Sequence, residues 1–94
     1  MIKAIMVHDK DNVATAVQEI QSGEEVEVQG KKVKVLEKVP FGHKFAVGEI
    51  AKGDDIVKYG EVMGEATENI GYGNYVHTHN VMSKRGRGDL KGAM

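Results

Sequence analysis

Two histidines two residues apart, His77 and His79, are the side chains best suited to chemistry in this chain, and Asn80 follows them at once. Imidazole is the commonest metal ligand and the side chain that exchanges protons most readily near neutral pH. Read as a strand, Tyr75 to Val81 would point successive side chains to opposite faces and set His77 and His79 side by side on one of them. Such a pair could bind a metal ion or an anionic substrate; the bland alternative is a solvated pair on an exposed strand. A second candidate lies in the glycine-containing loop after Pro40, where His43 precedes Lys44. There an ammonium would supply charge to a carboxylate or polyol, and the imidazole would donate or accept a proton. His8 reads more readily as structural, and Asp54 and Asp55 as turn formers.

The elements that would position these groups are mostly strands. Residues 2–8 are an apolar run that predicts a strand. Asp9 to Asn12 offer capping side chains, and Val13, Ala16, Val17 and Ile20 recur at helical spacing, predicting one short helix through residue 20 or 21 with Gly23 as its stop. Period two then takes over: Val26 and Val28, a Gly30 turn, Val33 and Val35 predict a hairpin with one wet face, closed by Pro40. Short strands follow at Phe45 to Val47, Ile56 to Tyr59 and Glu61 to Thr67. The frame Ile20-x-x-Gly23-x-x-Val26 returns as Ile50-x-x-Gly53-x-x-Ile56 and Ile70-x-x-Gly73-x-x-Val76, a glycine corner between an apolar anchor and a strand. The spacings of 30 and 20 residues are unequal, so this is a recurring turn device and not a solenoid. The expected class is mainly β with one short α-helix.

Composition narrows the chemistry. The 94 residues include no cysteine, which excludes disulfides, zinc–thiolate sites and a thiol nucleophile in this chain. A chain this short has a small core and invites stabilisation by a partner, a second copy as a homo-oligomer included. The apolar start is too short for a membrane span and lacks a cleavage pattern, so the expectation is a cytoplasmic protein with no membrane contact. The net charge is −1, but residues 83–94 hold four basic side chains and one acidic one. Residues 1–82 are therefore expected to form one domain and residues 83–94 a flexible, basic, glycine-rich tail. Four cations against an acidic body make nucleic acid the least favoured partner, and no nucleic-acid role is expected. Phosphate-binding loops, dinucleotide fingerprints and nucleophile elbows are absent from the sequence.

Four motifs in order, Asp11-Asn12-Val13-Ala14, Pro40-Phe41-Gly42-His43-Lys44-Phe45-Ala46, Lys58-Tyr59-Gly60-Glu61-Val62-Met63-Gly64 and His77-Thr78-His79-Asn80, resemble the SAF domain of the altronate and galactarate dehydratase family. That domain also exists as a separate small subunit. The resemblance covers about residues 2 to 82 and implies a β-clip fold, a set of bent hairpins. It implies a lyase that removes water from a sugar acid, aided by a divalent metal, iron or manganese, with a large catalytic subunit carrying most of the site. Family members built as two subunits include (2R)-sulfolactate sulfo-lyase, in which sulfite leaves, so this domain does not fix the leaving group. Carried over, His43, His77 and His79 are the implied catalytic residues, Lys44 and Asn80 the substrate-binding ones, and His77 and His79 the metal ligands. The chain alone is then expected to be inactive. A stand-alone module binding a small anion is the alternative reading.

Overall fold

The computed structural model describes residues 2–83, and among these no helix occurs. Nine short strands form three sheets. The largest holds β1 (Ala4–Ile5), β2 (Val13–Ala16), β5 (Lys44–Ala46) and β8 (Tyr75–Val76) in that spatial order, each neighbour antiparallel. A hairpin of β3 (Glu25–Val28) and β4 (Lys31–Lys34) stands apart, and β6 (Asp55–Lys58), β7 (Glu61–Ala66) and β9 (Val81–Ser83) make the third sheet. The mainly β expectation holds, and bent hairpins agree with a β-clip. The expected tail, apart from Ser83 at the end of β9, lies outside the described residues.

The predicted helix is absent: residues 13–16 form β2 and the chain bends at 17–18. Val13, Ala14 and Ala16 are buried, because β2 sits between β1 and β5 and is covered on both faces. A strand covered on both faces loses its alternation, and the apolar spacing of residues 13–20 then fits a helix as well as a strand. Asp9 and Asn12 cap nothing; Asp11 accepts hydrogen bonds from the Val7, His8 and Gly60 N–H groups instead. The predicted strand over residues 2–8 shortens to β1. In β3–β4 the expected wet face is present: Val26, Val28 and Val33 are buried, while Glu25 opposes Lys34 and Glu27 opposes Lys32.

Glycine corners organise the fold, and four of them occur among the described residues. Besides Gly23, Gly53 and Gly73, the stretch Val39-x-x-Gly42-x-x-Phe45 repeats the frame, and all four glycines have φ between 84° and 91°. The corners pair reciprocally. Ile20 and Val39 exchange both backbone hydrogen bonds, Gly23 N–H donates to Val35 and Gly42 N–H to Ala16; Ile50 with Ile70, Gly53 with Ala66 and Gly73 with Ala46 repeat the pattern. Each corner pair closes over a hairpin, β3–β4 or β6–β7, whose tip is a type I′ turn with both central residues at positive φ, Gln29 and Gly30 or Tyr59 and Gly60. Residues 13–76 are thus two copies of one unit, strand, corner, hairpin, corner, strand, with β5 shared. One apolar cluster gathers around Phe45 and the first hairpin, the other around Ile56, Ile70 and Val76.

Candidate functional site

The duplication places the candidate residues. In the first unit β2 and β5 pair Val13 with Ala46, Ala14 with Phe45 and Thr15 with Lys44. In the second, β5 and β8 pair Lys44 with Val76 and Phe45 with Tyr75, the same register carried forward. One step further along, the place of the buried apolar pair Val13 and Ala46 falls to His43 and His77. Their rings stack with centroids 4.4 Å apart. An apolar contact in one unit has become a pair of imidazoles in the other.

His77 and His79 do not share a strand face. β8 ends at Val76, and residues 77–80 form a turn closed by Asn80 N–H to the His77 carbonyl. Asn80 is buried, its side-chain oxygen accepts the His77 N–H at 2.9 Å, and its amide donates to the Tyr75 carbonyl at 2.8 Å. The Asn80 side chain thus shapes the loop that presents His77. Both histidines nevertheless reach one cluster, through Tyr75. The Tyr75 ring lies 5.6 Å from that of His77 and 5.5 Å from that of His79, and its hydroxyl meets His43 Nδ1 at 2.5 Å. Glu37 accepts the Tyr75 N–H and the Asn74 amide, fixing the start of β8.

Beside the cluster lies a cleft of about 200 Å³ lined by Lys44, Ile56, Met63, His77, Thr78 and Val81. Its floor is apolar, and its polar side chains are those of Lys44, His77 and Thr78. Burial depresses the Lys44 pKa, and the like charge of Lys58 adds to it. Burial likewise holds the His77 imidazole below its ordinary value, with the electrostatic influence of His43, Lys44 and His79 pushing the same way. His77 is therefore neutral at pH 7 and free to accept a proton or hydrogen bond, beside a cation that can hold an anion.

The expected metal ligands, His77 and His79, both lie against Tyr75 in this cluster. Among the described residues no three His, Cys, Asp or Glu side chains converge to hold an ion. His43 and His77 meet face to face, whereas imidazole ligates through an in-plane nitrogen lone pair. An iron or manganese ion would need ligands from beyond these residues. His8 is remote from this chemistry: its ring covers Gly60 and its Nδ1 accepts the Lys10 N–H. Asp54 is the turn former expected, its carboxylate accepting the Ala51 N–H. Tyr75 and Met63 are the site residues that sequence reasoning missed; the signal for Tyr75 was its place two residues before His77.

Among the described residues no helix is long and apolar enough to cross a membrane. The family model for the altronate/galactarate dehydratase SAF domain matches residues 2–84. Altronate dehydratase of Bacillus subtilis is 40% identical over 76 residues, 81% of this chain and 15% of that protein. Altronate dehydratase of Escherichia coli is 43% identical over the same shares. The (2R)-sulfolactate sulfo-lyase subunit alpha of Chromohalobacter salexigens is 28% identical over 88 residues, 85% of this chain and 94% of that protein. The chain thus spans about 15% of the length of the altronate dehydratases it matches.

Proposed function

The chain belongs to the altronate/galactarate dehydratase SAF-domain family, and from that premise we propose that it is the small subunit of a heteromeric lyase dehydrating an altronate-type sugar acid. Its His43, Lys44, His77 and His79 form one wall of a site that a large subunit completes. The observation carrying this reading is the cleft in which Lys44 and a neutral His77 face an apolar floor beside the stacked His43 ring.

The chemistry asked of such a wall is definite. Dehydration removes the proton next to the carboxylate; its electron pair forms the carbon–carbon double bond as the neighbouring C–O bond breaks, and the hydroxyl leaves as water after taking up a proton. The enol product becomes a 2-keto-3-deoxy acid. Charge builds on the carboxylate as the proton departs, and the Lys44 ammonium is placed to stabilise it. His77 accepts or relays a proton from its neutral form, while Tyr75 orients His43 against the same substrate. The iron or manganese ion implied by the resemblance belongs, in this reading, to the partner's side of the joint site.

Purified alone, the chain is expected to show no dehydratase activity and to gain it on mixing with a large dehydratase chain. In that complex the double substitution His77→Ala, His79→Ala should lower kcat by roughly a hundredfold or more, the scale of a lost acid–base pair; full activity would overturn the assignment. A second reading, small subunit of a sulfolactate sulfo-lyase, is favoured by the match over 94% of a protein named as a subunit alpha. Offering the same complex altronate and sulfolactate, and assaying keto-deoxy acid against sulfite, separates the two.

A further inference from the structure

The two units of the chain differ by one residue. Corner residues advance by 30 from the first unit to the second up to the hairpin tip, as Gly23 to Gly53 and Gly30 to Gly60 do, and by 31 after it, as Gly42 to Gly73 does. In β3–β4 the pairs run without interruption, Val28 with Lys31, Glu27 with Lys32, Val26 with Val33, Glu25 with Lys34. In β6–β7, Lys58 pairs Glu61 and Val57 pairs Val62, but Ile56 pairs Gly64, and the register shifts between Ile56 and Val57. The residue left over is Met63.

A bulge re-aims the side chain of the extra residue, and here that side chain lines the Lys44 and His77 cleft. The position of buried Val33 in the first unit is taken by Gly64 in the second. A Cβ on Gly64 would stand 2.5 Å from the Met82 carbonyl oxygen and 2.9 Å from Val81. The missing side chain therefore admits β9, and with it Val81, to the cleft wall. In the first unit Val26, Val33 and Val47 belong to one buried apolar cluster. Met63 is half exposed, unbranched and polarizable, a side chain that fits itself to a variable carbon chain.

We infer that Met63 is a specificity-determining residue of this cleft: the one-residue bulge sets its thioether against the carbon chain of an acid held at Lys44, limiting the length and bulk admitted. The inference rests on the proposed reading of the cleft as an anion site. The test is titration of the isotopically labelled chain with sodium glycolate, glycerate and gluconate, followed at the Lys44, His77 and Thr78 amides. Met63→Ala should raise the affinity for gluconate relative to glycolate by roughly three- to tenfold, the discrimination that a few methylene-sized groups provide. Deleting Met63 restores the hairpin geometry that β3–β4 already adopts, and should likewise remove the discrimination against gluconate while the amide spectrum stays dispersed. An unchanged gluconate-to-glycolate ratio in Met63→Ala, with the wild type still binding, overturns the role of Met63 alone. Absence of binding by the wild type to all three acids overturns the anion reading together with it.

Discussion

At His77 burial and the neighbouring His43, Lys44 and His79 act in one direction, so its protonated form is disfavoured in the folded chain. The folded pKa lies below the ordinary 6.5, which the unfolded chain retains. Between those two values the unfolded state binds more protons, so the contribution of this group to stability is complete above 6.5 and is lost as pH falls through the folded pKa. In the complex, an acid limb of the rate profile is expected at that same depressed value, since a protonated His77 cannot accept a proton. Lys44→Met keeps the side chain's bulk and removes its charge. It should move the His77 midpoint upward in a proton NMR titration, whereas an unmoved midpoint would mean that Lys44 adds nothing to burial and the neighbouring imidazoles. The histidines themselves were legible in the sequence. Their geometry was not, because a two-residue spacing describes a strand, and whether the chain turns at residue 77 depends on a buried Asn80 binding backbone on both sides.

At the scale of elements, the glycine corners set the fold, and their cost of substitution is uneven. Gly23 has φ +87° with open space where a Cβ would stand; Gly73 has φ +86°, but its Cβ would meet the Lys34 carbonyl oxygen at 2.1 Å. Gly23→Ala should therefore cost about 1–2 kcal/mol, the price of a left-handed residue bearing a side chain. Gly73→Ala must also displace backbone and should cost clearly more, as compared by urea denaturation. The β6–β7 hairpin is tethered separately. Asp11 binds Gly60, and Asn12 exchanges hydrogen bonds with the backbone of Asp55 and Val57. Burial opposes ionisation of Asp11, but the N–H groups of Gly60, His8, Tyr59 and Val7 outweigh it and hold the carboxyl below its usual range. Asp11→Ala leaves those donors without their acceptor and should destabilise by about 1–3 kcal/mol. Three corners could be read from apolar and glycine spacing alone. The fourth was hidden because Pro40 reads as the end of a hairpin, although it sits at the turn between Val39 and Gly42. Helix and strand could not be separated over residues 13–20, because what makes β2 a strand is its two neighbours, β1 from before it and β5 from 30 residues on.

Across the whole molecule, β5 joins two apolar clusters, since Phe45 belongs to one and Ala46, the next residue, to the other. The same strand carries Lys44 into the cleft and pairs with β8, which presents the histidines, so the site is anchored in both clusters at once. Domains of this size hold together by only about 5–15 kcal/mol, and truncating a buried aromatic removes about 3–5 kcal/mol. Phe45 is fully buried, so Phe45→Ala should forfeit a large part of the total. If the shared strand makes the two units one cooperative body, the loss will appear in both. The Val35 N–H bonded to Glu24 lies in the first unit, and the equivalent Ala66 N–H bonded to Asp54 in the second. Amide hydrogen exchange in Phe45→Ala should accelerate at both by the same factor. Acceleration at Val35 with Ala66 unchanged would mean that the units open independently, and that the histidine wall of the second stands without support from the first.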